Sequence, residues 1–189
     1  PSALLYHVYP PTTILSARRL RELPWDADTD RTLKHRHFRT AGLPEGGSPT
    51  LDRTPLLFNQ DIGMLFARPT VTDGHFYRNA QADEVVYVSE GQGTLETQFG
   101  DLPYRAGDYL VIHRGILHRY HLDPVPHRLL IMESRGYVRT PKRYRNEYGQ
   151  IVEAAPYSER DFRRPMELQT HEERGEFSIV IKQYGGLNE

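Results

Sequence analysis

The sequence predicts an all-β fold, a small barrel with extended arms at both ends. Three observations predict it. Short apolar runs recur through the middle of the chain: 62–68, 84–89, 93–99, 102–105, 108–112, 116–121 and 128–134. Glycine stands at their corners, at Gly91, Gly93, Gly100, Gly107 and Gly115. No long segment carries the 3.6-residue period of a helix. Many short strands at regular spacing, punctuated by turn formers, are the pattern of a sandwich or barrel.

The 189 residues fit one domain with arms, long enough to bury a core. Residues 1–60 are rich in turn formers, with Pro10, Pro11, Pro24 and the run Pro44–Pro49, and read as a strand-and-loop arm. A short helix is expected over Ser16–Leu23, capped by Ser16 and closed by Pro24. The barrel is expected over 61–136. It opens on a strand with Ile62, Met64 and Phe66 on one face. Phe99-Gly100-Asp101-Leu102 reads as a tight hairpin corner. Residues 137–189 read as a polar, arginine-rich loop ending in a strand with Phe177, Ile179 and Ile181 on one face.

A net charge of −1 offers no electrostatic case for nucleic acid or an anionic membrane. No apolar run is long enough to span a bilayer, and no signal peptide is visible. The absence of cysteine excludes disulfides and thiol catalysis. A cytoplasmic location is compatible with these features. The chain starts at Pro1 without methionine, as a processed product or a piece of a longer protein does.

The order strand, turn, strand, turn, strand from Glu84 to His118 is the layout of a cupin, a double-stranded β-helix barrel. Gly107-Asp108 turns into a hydrophobic strand, Gly115 turns out of it, and His118 follows, pointing into the barrel mouth. In that signature two histidines and a glutamate precede this half, and together they hold a divalent metal. Some members keep two histidines and one carboxylate, which leaves open positions on ferrous iron. Here the glutamate is Glu84, but Tyr77 stands where a ligand histidine belongs. His75 lies two residues upstream, and His113 sits before the corner glycine. The metal candidates are therefore Glu84 and His118, with His75 or His113 as a third. Two secure ligands are too few for a catalytic site, and a neutral tyrosine is a poor ligand for ferrous iron. The expectation is a degenerate barrel with no tightly bound iron.

Other motifs read as structural. His35 and His37 have the spacing of one face of an exposed strand in the arm. His121 lies three residues past His118, so the two face opposite ways. The basic run Arg139–Arg145 and the charged loop Asp161–Pro165 read as solvated loops or subunit contacts.

The chain resembles the homogentisate 1,2-dioxygenase family, bacterial members in particular. The resemblance rests on Leu5–Thr12, Leu57–Asp61, Phe76–Asn79, Asp83–Val85, Gly115–Tyr120, Glu133–Tyr137 and Val180–Gly185. It covers most of the chain and matches the N-terminal half of a protein about twice as long. It implies an Fe(II) ring-cleaving dioxygenase of tyrosine and phenylalanine catabolism, acting on homogentisate and dioxygen and assembled as a homo-oligomer, a hexamer. The family's iron ligands and catalytic residues belong to the C-terminal half, so none carries over to positions here. The alternative is a non-catalytic cupin that binds a small molecule or serves as an assembly module.

Overall fold

The computed structural model describes residues 4–10, 13–26, 28–30 and 32–189. Pro11 and Thr12 of the expected N-terminal turn and family motif lie outside the described residues. Twelve strands form among the described residues: β1 Arg19–Glu22, β2 Thr54–Phe58, β3 Ile62–Ala67, β4 Phe76–Asn79, β5 Asp83–Glu90, β6 Gln92–Thr97, β7 Gly100–Arg105, β8 Tyr109–Ile112, β9 His118–Leu122, β10 Arg128–Ser134, β11 Ile179–Gln183 and β12 Gly186–Asn188. Among the described residues helix is confined to three single 3₁₀ turns, at Thr40–Gly42, Lys142–Tyr144 and Glu159–Asp161.

The strands form two sheets, one in the order β1-β12-β11-β4-β9-β6-β7 and the other β2-β3-β10-β5-β8. Their inner faces meet in the main core, and Tyr77, Val180 and Leu187 form a second, smaller cluster. Leu65, Val86, Val88, Leu110, Leu129 and Ile131 come from the five-stranded sheet, and Leu95, Tyr104 and Tyr120 from the seven-stranded one. This is the cupin barrel, all-β as expected. Gly107 (φ 93°) and Gly115 (φ 84°) hold the corners on either side of β8 in a left-handed conformation that suits glycine. Strands from both flanks of 61–136 complete the sheets: β2 pairs antiparallel with β3, and β11 runs parallel to β4.

Three local expectations are corrected. Ser16–Leu23 is not helical. Arg19–Glu22 forms β1, which pairs with β12 at the far end of the chain. Arg18 N–H donates to the Glu189 carbonyl at 2.7 Å, and Leu23 N–H to that of Gly185 at 2.8 Å. Those acceptors lie more than 160 residues away, where local helix propensity has no view of them. On β3 the interior face is Gly63, Leu65 and Ala67, not Ile62 and Met64, although Phe66 is also buried. On β11 the interior residues are Val180 and Lys182, while Phe177 is exposed and precedes the strand. Both strands are apolar on both faces, so alternation alone does not decide the inward one.

The outer face of the five-stranded sheet is apolar too. One cross-strand row is Met64, Met132, Val85, Val111; the next is Phe66, Leu130, Tyr87, Tyr109. Tyr87 and Tyr109 stack with centroids 4.8 Å apart.

Candidate functional site: a buried charge cluster in the barrel

Strand parity brings six polar side chains into one end of the barrel. On the five-stranded sheet, Glu84 of β5 and Glu133 of β10 are direct cross-strand partners. Facing them, Tyr77 of β4 pairs with His118 of β9, and Asn79 of β4 with Lys182 of β11. All six are buried, with Glu84, Tyr77 and His118 at 0% exposure. Two carboxylates opposite one another repel, so the arrangement requires cations.

Arg53 and Lys182 supply them. Arg53 precedes β2 and is held by Nε–H donating to the Pro49 carbonyl at 2.7 Å. Its Nη1 donates to Glu84 Oε1 at 2.9 Å and to Glu133 Oε1 at 3.4 Å. Lys182 Nζ donates to Glu133 Oε2 at 2.5 Å. Glu84 Oε1 also accepts from Asn79 Nδ2 at 2.9 Å and the Tyr77 hydroxyl at 3.3 Å. The cluster is a neutral quartet of two carboxylates and two cations.

These partners set the protonation states. Burial pushes the Glu84 carboxyl up, but the charge and hydrogen bond of Arg53, with help from His118 and Asn79, bring it down to about 2. Burial holds the His118 imidazole below its ordinary value. Its Nδ1 lies 3.0 Å from the Ile116 carbonyl, which can only accept. The proton is therefore on Nδ1, and Nε2 presents a lone pair. Burial, reinforced by Glu84, raises the Tyr77 phenol well above its ordinary value, so it stays neutral.

Of the expected candidates, Glu84 and His118 are both buried in the interior, and Tyr77 touches both, its hydroxyl 3.3 Å from Glu84 Oε1 and its ring 5.4 Å from the His118 ring. His75 and His113 are corrected: neither joins them. His75 Nε2 lies 3.0 Å from Thr50 Oγ1, beside Asp73. His113 is mostly exposed on the outside, with Nδ1 3.2 Å from Asp83 Oδ2. His121 turns outward to Glu96 at 2.6 Å. His35 and His37 lie in exposed coil, not on a strand. Among the described residues no three His, Cys, Asp or Glu side chains converge. A guanidinium 2.9 Å from Glu84 also opposes a second cation there. These residues do not fit a ferrous site of two histidines and a carboxylate.

Sequence reading missed Arg53, Asn79, Glu133 and Lys182. One signal pointed to two of them. Glu133 continues the inward alternation Leu129, Ile131 on β10, and Lys182 continues Val180 on β11. A charged residue in phase with buried apolar ones requires a buried partner.

A cavity of about 200 Å³ adjoins the cluster, walled by Arg53, Tyr77, Glu133 and Lys182 and, from the arm, by Leu23 and Trp25. Trp25 lies against Gly63, where a Cβ would come within 2.7 Å of the indole. Its ring also packs 4.6 Å from Lys182 Nζ.

Residues 70–178, more than half of the chain, match the model of the AraC-like ligand binding domain. The chain belongs to this family. A protein of Saccharolobus solfataricus named "Putative dioxygenase" is 37% identical over 191 residues, covering 98% of this chain and 48% of that protein. The chain thus spans about half the length of the curated relative it matches. Among solved structures, a protein of Ralstonia eutropha described as a "putative mannose-6-phosphate isomerase" is 24% identical, covering 54% of this chain and 98% of that one, with a TM-score of 0.44. A cupin-2 domain protein of Shewanella frigidimarina is 18% identical, covering 47% and 84%, with a TM-score of 0.39. Among the described residues no helix is long and apolar enough to cross a membrane.

Proposed function

We propose that this chain is a ligand-binding cupin that forms the metal-free half of an Fe(II) ring-cleaving dioxygenase, with homogentisate as the substrate of the longer protein. The observation that carries the reading is the engagement of Glu84. The carboxylate at the cupin ligand position is bonded to Arg53, Asn79 and Tyr77. The relative named as a dioxygenase, twice this length, supports an oxygenase context. The family match supports ligand binding by this half. The choice of homogentisate rests on the sequence resemblance. Iron and the oxygen chemistry then belong to the other half, and this chain contributes binding and assembly.

Two measurements test the reading. The longer protein, supplied with ferrous iron and ascorbate, is expected to consume oxygen with homogentisate. The 189-residue chain alone is expected to consume none and to purify without stoichiometric iron. Stoichiometric iron in the chain that disappears in Glu84→Ala and His118→Ala would overturn it.

Association belongs to the same proposal. The outward rows of the five-stranded sheet leave Tyr109 63% and Val111 46% exposed, and contiguous apolar surface promotes association. The isolated chain is expected to form oligomers at tens of micromolar in light scattering. A monomer there counts against the homo-oligomer.

A further inference from the structure

Glu84 and His118 stand at two ligand positions of a cupin site, and a fixed cation stands beside them. We propose, resting on the reading of this chain as the metal-free half, that Arg53 is the residue that excludes a divalent ion. Its guanidinium supplies at Glu84 the positive charge that a metal supplies in a metal-binding cupin.

The two ligand side chains offer what a metal takes. His118 holds its Nδ1–H on the Ile116 carbonyl at 3.0 Å, so Nε2 presents its lone pair inside the barrel, as a metal-ligating imidazole does. That Nε2 is buried without a hydrogen-bond partner, and so is Glu84 Oε2. Tyr77 is the direct cross-strand partner of His118, and its hydroxyl lies 3.3 Å from Glu84 Oε1. A histidine at position 77 would add a third ligand from the same face of the sheet. By ligand count alone, Tyr77→His would be enough to restore a site.

Charge makes it insufficient. Arg53 is 5% exposed and donates from Nη1 to Glu84 Oε1 at 2.9 Å and to Glu133 Oε1 at 3.4 Å. The Pro49 carbonyl fixes its Nε at 2.7 Å, and the guanidinium carbon lies 5.3 Å from the centroid of the Tyr77 ring. With Lys182 on Glu133, the buried quartet is neutral. A divalent ion on Glu84 and His118 would bury two unbalanced positive charges, which is strongly unfavourable. Tyr77→His leaves that excess in place. Replacing Arg53 by a neutral residue halves it and releases Glu84 from the guanidinium. Two substitutions are therefore needed where ligand count asks for one.

The probe is Co(II), followed by its visible absorption, by elemental analysis after dialysis and by Tm. Arg53→Gln is used because an amide still donates to Glu84 but carries no charge. The unmodified chain and Arg53→Gln are expected to bind no Co(II). Tyr77→His combined with Arg53→Gln is expected to bind one Co(II) per chain, with a Tm that rises with the metal and falls back with EDTA. Tyr77→His alone is expected to bind about a hundredfold or more weaker, because the retained guanidinium repels the ion at short range. If the double variant is unfolded without metal, recovery of its β signal in far-UV circular dichroism on adding Co(II) is the same positive result. Failure of the double variant to bind, or to fold with Co(II) present, overturns the proposal. Binding by Tyr77→His as tight as by the double variant also overturns it, and assigns the exclusion to ligand count. Adding Glu84→Gln to the double variant is expected to abolish binding; binding that survives it places the metal elsewhere and overturns the proposal too. These outcomes leave the metal-free reading standing, whereas stoichiometric Co(II) on the unmodified chain would overturn that reading itself.

Discussion

Arg53→Ala is expected to destabilise the fold by about 3–5 kcal/mol, the range for removing one partner of a buried ion pair. The loss has two parts. Glu84, at 0% exposure, loses the guanidinium 2.9 Å away. Glu84 and Glu133, direct cross-strand partners, then face each other with Lys182 as their remaining cation. In a chain of this length such a loss lowers Tm by roughly 6–20 °C. Urea denaturation at neutral pH measures it. The control is Arg53→Met combined with Glu84→Gln, which removes both charges. That pair is expected to cost markedly less than the sum of the single changes, because each single change strands a buried charge. If Arg53→Ala costs under about 1 kcal/mol, within the range of an exposed ion pair, the cluster does not depend on Arg53 for its charge balance.

Acid is expected to unfold the protein in two stages, both from the interior of the barrel. His118 is held neutral by burial, below its ordinary 6.5. Below about that pH the unfolded chain gains a proton that the folded chain refuses, so stability starts to fall. Glu84 adds the second stage. Burial raises its carboxyl, but Arg53 outweighs burial and takes it from 4.5 to about 2. A depressed carboxylate stabilises the fold fully above its unfolded value, and that stability is lost as pH falls from 4.5 toward 2. The difference is worth about 3 kcal/mol. Denaturant midpoints are expected to hold above about pH 7, decline toward pH 5, and drop more steeply below 4.5. Glu84→Gln is expected to flatten the lower stage, and His118→Phe the upper one. A midpoint that rises on acidification would contradict both assignments.

The inward placement of Glu84, Tyr77 and His118 was legible because each sits in phase with buried neighbours: Glu84 with Val86 and Val88 on β5, Tyr77 with Asn79 on β4, His118 with Tyr120 on β9. The glycine corners fixed where those strands begin and end. Tyr77 at a ligand position already spoke against a three-ligand metal centre. Arg53 was not legible. It lies in an irregular stretch before β2, with no periodic neighbour to show its direction, and its partners Glu84 and Glu133 are 31 and 80 residues away.

The all-β class, the order of the central strands and the corners between them follow from local sequence. These depend on period-two alternation and on glycine's backbone freedom, which act over a few residues. Long-range packing makes Arg19–Glu22 a strand, turns Leu65 of β3 and Lys182 of β11 inward, and sets Arg53 against the glutamate at the cupin ligand position. Each of those depends on a hydrogen-bond or charge partner distant in the chain. Burying a polar group is favourable or ruinous according to whether such a partner arrives, and only the fold brings it there.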